Sequence, residues 1–230
     1  MIKFLKLALI PAALMMSGCS LLPQNQPHTY RAADILDSLA LSNSQVIIVL
    51  PDEKVRARTN VSAWEKEGKW WVKKFNTMPA VIGRNGFAAA GEKREGDGRT
   101  PSGIFALKRA FGYAPWTATG LRYRQATEDD FWVDDPVSGQ YNQWVRGAPQ
   151  ADSFEVLRRD DKLYSYAIVI EYNTQQVIPG YGSAIFMHVW RGKDASTAGC
   201  VALSARNIRK IMKWLDLSKQ PVIILGDEQI

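Results

Sequence analysis

Two apolar runs, YSYAIVIEYN at 164–173 and SAIFMHVW at 183–190, constrain the fold of this chain more than any other feature. A run without alternation is the signature of a strand buried on both faces, so both segments belong in the middle of a covered sheet. The remaining segments fit that sheet. SQVIIVL (44–50) reads as a strand, and NVSAWEKEGKWWVKKF (60–75) has two β-rich arms around Glu67-Gly68, a hairpin signal. PAVIGRNGF (79–87) is a short strand with glycine turns, and KREGDGRTPSGIFAL (93–107) is a charged glycine loop running into a strand. DFWVDDPVSGQYNQWV (130–145) reads as a loop-rich aromatic segment, and PVIIL (221–225) as a closing strand. SARNIRKIMKWLDL (204–217) predicts the clearest helix, capped by Ser204, with Ile208, Ile211, Met212 and Leu215 at helical spacing. Many short strands and one late helix predict a mainly β sandwich or barrel.

The chain has 230 residues, 46% of them hydrophobic, which suits one well-packed domain. A charged fraction of 23% with abundant aromatics excludes a disordered chain. The formal charge of +6 is spread without a run of five like charges, so a nucleic-acid footprint is not indicated.

The N-terminus reads MIKFLKLALIPAALMMSGCS. Lys3 and Lys6 precede an apolar stretch, Leu7 to Met16, too short to span a bilayer, and then Ser17, Gly18 and Cys19 follow. This resembles a bacterial lipoprotein signal, which implies cleavage after residue 18, lipidation of Cys19 and a periplasmic protein anchored in a membrane. Ser20 after the cysteine points by the same resemblance to the outer membrane. The alternative is an ordinary secretory signal with a stray cysteine. Residues 19–43 read as a tether with His28 in it and a short helix over 30–41, leaving 44–230 as the domain.

Only two cysteines and two histidines occur. If Cys19 carries lipid, Cys200 has no disulfide partner, which suggests intermolecular pairing or a thiol with a chemical role. His188 lies on the strand 183–190 and shares a face with Ala184, Phe186 and Trp190. Between it and Cys200 runs a polar glycine-bearing connection, and a hairpin-like return would set the two side by side. An imidazole beside a thiol takes its proton and holds an ion pair. The amides of Gly199 and Cys200 are candidates for an oxyanion site, with the Ser196 and Thr197 hydroxyls beside them. The opposing readings are a core histidine, a small buried cysteine, and a metal site completed by Asp194 or Glu171.

The stretch His188…STAGCVAL resembles the L,D-transpeptidase catalytic domain family, the YkuD type. His188, Thr197, Gly199, Cys200 and Val201 match its motif, and DGRTPSGIF (97–105) matches its Thr-Pro-x-Gly-x-Phe segment. The resemblance covers roughly residues 44–226. It departs at Ala198, where the family usually has histidine, and at Ala202, where it usually has Arg or Asn, and its His-to-Cys gap is shorter than usual. The resemblance implies a β-sandwich-like mixed sheet with a helix after the cysteine. It also implies acyl transfer on peptidoglycan stem peptides through a thioester at Cys200, with His188 as base and no metal or organic cofactor. Hydrolysis in place of transfer, giving a carboxypeptidase or amidase, and a non-catalytic wall-binding module remain as alternatives. Arg191 and Lys193 are candidates for a stem-peptide carboxylate. Tyr141, Asn142, Trp144, Tyr172 and Asn173 are candidates for lining the groove, with core packing as the alternative for the aromatics. Asp97 and Arg99 read as a turn shaping the approach. The sequence identifies no protein partner.

Overall fold

The computed structural model describes Leu36, residues 42–52 and residues 54–226. The lipoprotein signal with Cys19, the tether with His28, and all of the expected helix 30–41 except Leu36 lie outside the described residues. Leu36 is helical and buried against Val46, Ile48, Val222 and Ile224.

Thirteen strands and one α-helix are described, in the order β1 (Gln45–Pro51), β2 (Arg58–Glu67), β3 (Trp70–Lys73), β4 (Met78–Val81), β5 (Gly103–Gly112), β6 (Arg122–Gln125), β7 (Asp130–Val133), β8 (Trp144–Arg146), β9 (Phe154–Val156), β10 (Tyr166–Ile170), β11 (Phe186–Val189), β12 (Val201–Leu203), α1 (Ala205–Trp214) and β13 (Val222–Leu225). Ten of the strands form one mixed sheet, in the path β1-β13-β5-β10-β11-β12-β4-β2-β3 with β6 on β5. β1 also pairs with β2, so the path from β1 to β2 closes into a ring, with β3 and β6 branching from it. β2 and β3 form the hairpin expected at Glu67-Gly68, with Glu67 opposite Trp70.

The strands from the two apolar runs are neighbours at the centre, Ala167 opposite His188 and Val169 opposite Phe186. Ile168, Ile170, Ile185, Met187, Val201 and Leu203 point to one side, into a core completed by Ile208, Ile211, Met212 and Leu215. That is the apolar stripe read from the sequence, and Ser204 caps α1 by accepting from the Asn207 amide. The helix stops at Trp214, three residues short of the expected end, because Leu215 turns extended. Phe186, Ala167 and Val169 point to the other side.

A second, three-stranded sheet, β8-β7-β9, covers this other side. Its strands β7 and β8 begin within 130–145, where the sequence predicts a loop-rich segment, and the structure corrects that expectation at both ends. The reason is shortness: β8 and β9 have three residues each, too few to show a period. Trp132 of β7 meets Phe186 edge to face at 5.0 Å, and Leu157, just after β9, is fully buried in the same cluster. Among the described residues the fold is therefore mainly β with the expected helix after Cys200, and its two sheets meet over the even-numbered face of β11.

Candidate active site

His188 stands on that even-numbered face, and Cys200 immediately precedes β12. β11 and β12 pair in parallel, Met187 with Val201 and His188 with Ala202. The expected hairpin-like return is thus wrong in sense. The connection 190–200 crosses over and re-enters beside β11 running the same way, and it still brings the cysteine next to the histidine strand. Both residues are buried, and they line one cavity of about 510 Å³ together with Ser196, Thr197, Gly199 and Arg191.

The imidazole Nδ1 donates to the carbonyl of Val189 at 2.8 Å. A carbonyl only accepts, so this bond places the proton on Nδ1 and leaves Nε2 with its lone pair. Burial holds the ring down to about pKa 4, far from the value of a free imidazole. The Tyr164 ring meets the imidazole edge to face at 5.1 Å and fixes its plane.

Cys200 Sγ donates to Ala184 O at 3.3 Å and accepts from the Phe186 amide at 3.4 Å. Burial pushes the thiol up to about 12, the Phe186 amide opposing. The resting pair is therefore neutral thiol and neutral imidazole, not the expected ion pair, because the site excludes the water that would stabilise either charge.

The loop before the cysteine is tightly braced. Thr197 Oγ1 donates to Cys200 O at 2.7 Å and accepts from Gly199 N at 3.1 Å. Thr197 N donates to Ile82 O, and Arg84 N donates to Thr197 O, each at 2.9 Å, tying the loop to the end of β4. A Cβ at Gly199 would lie 2.9 Å from Arg99 O and 3.3 Å from Ile185 Cδ1, so only glycine fits. The Gly199 amide is occupied by Thr197, which corrects its expected oxyanion role. The Cys200 amide has no hydrogen-bond acceptor among the described residues.

Asp97 and Arg99 do form a turn, and it backs this loop. The Asp97 carboxylate accepts from Lys93 Nζ, Arg94 N and Arg99 N. Burial raises this carboxyl, but those donors together hold it below the usual carboxylate range.

The other expected substrate residues fall differently. Arg191 lines the cavity, exposed and 3.5 Å from Asp161. Lys193 is exposed on the crossover. Tyr141, Asn142 and Tyr172 stand behind the cavity as supports. Tyr141 Oη donates to Glu95 at 2.5 Å and accepts from Gly182 N. Asn142 Oδ1 accepts from Trp132 Nε1 and Ala184 N, and its Nδ2 donates to Tyr172 O and Asn173 O. Tyr172 Oη donates to Tyr181 O, and its ring packs on Phe105. Trp144 donates to the buried Asp130 and packs on Phe111. Asn173 holds the 178–182 turn through Ile178 and Gly182. The two carboxylates weighed as metal ligands are ion-paired elsewhere, Glu171 with Arg109 and Asp194 with Arg58.

Sequence reasoning missed part of the cavity wall: Glu155 on β9, and Arg159 and Tyr164 on the connection from β9 to β10. Arg159 pairs with Glu155 at 3.1 Å and Asp161 at 2.8 Å and lies over the Tyr164 ring. Burial raises the Glu155 carboxyl, with the Arg159 charge opposing. These residues sit far from the motif in sequence, and no local pattern marks them. Arg84, Lys93, Glu95 and Asp134 complete the charged lining.

No curated protein matches this chain. Among solved structures it is similar to the helical cell shape determining protein Pgp2 from Campylobacter jejuni, at 18% identity over 85% of this chain and 54% of that one, with a TM-score of 0.39. A single-residue variant of Pgp2 from the same organism matches at 18% identity over 85% and 53%, with a TM-score of 0.43. The chain thus spans about half the length of the structures it matches. The family model for the L,D-transpeptidase catalytic domain, YkuD, matches residues 45–224, and the chain belongs to that family.

Proposed function

We propose that this protein carries out cysteine-dependent acyl transfer on peptidoglycan stem peptides. The observation that carries this reading is the juxtaposition, in one cavity, of a thiol and an imidazole whose Nδ1 is committed to Val189 O. With a peptide in the cavity, the thiol proton passes to His188 Nε2 as sulfur attacks the carbonyl of the L-centre of meso-diaminopimelate. The Cys200 amide donates to the resulting oxyanion. The C–N bond to D-alanine breaks, His188 returns the proton to the leaving amine, and a thioester to Cys200 remains. An amine of a second stem peptide or of a lipoprotein lysine then attacks it, giving an amide and regenerating the thiol. Water in its place yields an acid, and the protein is then a carboxypeptidase or amidase. A neutral resting pair suits this scheme, since charge develops only where the substrate and the oxyanion donor meet it. In the same reading the enzyme works in the periplasm, held by lipid on Cys19, at the outer membrane.

The test is mass spectrometry of disaccharide-tetrapeptide incubated with the full chain, with and without an acceptor amine, beside Cys200→Ala. A Cys200-dependent dimer means transfer, and a Cys200-dependent shortened monomer means hydrolysis. No Cys200-dependent product, on this or on crosslinked and lipoprotein-linked muropeptides, would overturn the catalytic reading in favour of a wall-binding module.

A further inference from the structure

Most of the cations lining the cavity are already spent. Lys93 is buried on Asp97, Arg159 holds Glu155 and Asp161, and Arg191 leans on Asp161. Arg84 lines the same cavity and has no carboxylate partner among the described residues. Glu95 also lines it, but its Oε2 receives the Tyr141 and Ser183 hydroxyls.

The Arg84 guanidinium is nonetheless held. Its Nη2 donates to Gly96 O at 3.3 Å. It lies directly on Gly98, whose φ is +68° and whose missing Cβ would otherwise stand 2.7 Å from Arg84 Cζ and 2.8 Å from Nε. A side chain at Gly98 would displace it. The Arg84 backbone donates to Thr197 O at 2.9 Å, and Thr197 Oγ1 donates to Cys200 O at 2.7 Å. The main chain that carries the exposed Arg84 side chain is therefore tied to the cysteine loop through two hydrogen bonds. A guanidinium with one of its five N–H groups occupied keeps enough donors for a bidentate carboxylate. Next to Cys200, β12 offers only the side chain of Ala202, which has no polar atom.

We propose that Arg84 is the specificity residue of this cavity and binds a carboxylate of the donor stem peptide. This rests on the acyl-transfer reading above. Of the carboxylates on that peptide, two belong to the residues either side of the scissile bond, the terminal carboxylate and the side-chain carboxylate of the diamino acid, and these are the two candidates.

The experiment is calorimetric binding of disaccharide-tetrapeptide to the full chain carrying Cys200→Ala, using the free peptide, its C-terminal amide and its side-chain amide. The expected result is at least tenfold weaker binding of one amide, which identifies the carboxylate. Adding Arg84→Gln should weaken the free peptide by a similar factor and erase that preference. Arg84→Lys should keep part of it, and both variants should melt as the parent does. A preference that survives Arg84→Gln, or no preference in the parent, would overturn the proposal and leave acyl transfer standing. Absence of binding by all three peptides would overturn both.

Discussion

The Phe186 amide donates to Cys200 Sγ at 3.4 Å, so the nucleophile candidate is held by the main chain of the histidine's own strand rather than by the imidazole. Phe186 and His188 share a face of β11, and the sulfur meets that face at its N-terminal end. The second sheet closes over the same face and removes water, which accounts for the uncharged pair.

A thiol pushed up to about 12 by burial is almost wholly protonated at neutral pH. Alkylation of Cys200 at pH 7 should run about a thousandfold slower than that of a free cysteine, whose pKa is about 8.5. The rate should still climb beyond pH 10. Peptide-mapping mass spectrometry with iodoacetamide, following the Cys200 peptide, measures this. A plateau between pH 5 and 8 would mean that a resting ion pair exists after all.

His188 leads to a second expectation. Burial lowers its pKa from 6.5 to about 4, so between those values the unfolded chain binds a proton that the folded one refuses. Stability contributed by neutral His188 is complete above pH 6.5 and is lost as pH falls toward 4, by up to about 3 kcal/mol. Glu155, raised by burial, works in the opposite direction, so the comparison must be with His188→Gln, which should flatten the slope. Urea unfolding from pH 4 to 7 reads it. An identical slope in both proteins would contradict the buried neutral ring. The acid limb of activity should likewise lie near pH 4.

Asn142 separates scaffold from site. It sits at φ +56°, where asparagine is tolerated better than alanine, and serves Trp132, Ala184, Tyr172 and Asn173. Asn142→Ala should cost about 2–4 kcal/mol by orphaning these groups. A urea midpoint unchanged from wild type, together with weakened peptide binding, would return Asn142 to a substrate role.

Local pattern carried much of the fold. The apolar runs became β10 and β11, the Glu67-Gly68 signal became the β2–β3 turn, and Ser204 caps α1, because each depends on neighbours within a few residues. That His188 and Cys200 come to one cavity was legible for a related reason, since rare residue types close in sequence flank one polar connection. The parallel sense of that connection was not legible, because it depends on which strand β12 joins.

The sequence by itself determined which segments could be central strands, where the helix starts, and which thiol and imidazole stand near one another. The tertiary structure alone decided the charge state of that pair and the placing of Arg84, Glu155, Arg159 and Tyr164 in the cavity wall. Burial and long-range hydrogen bonds set those properties. They arise only when the two sheets close over β11, between residues that no local pattern connects.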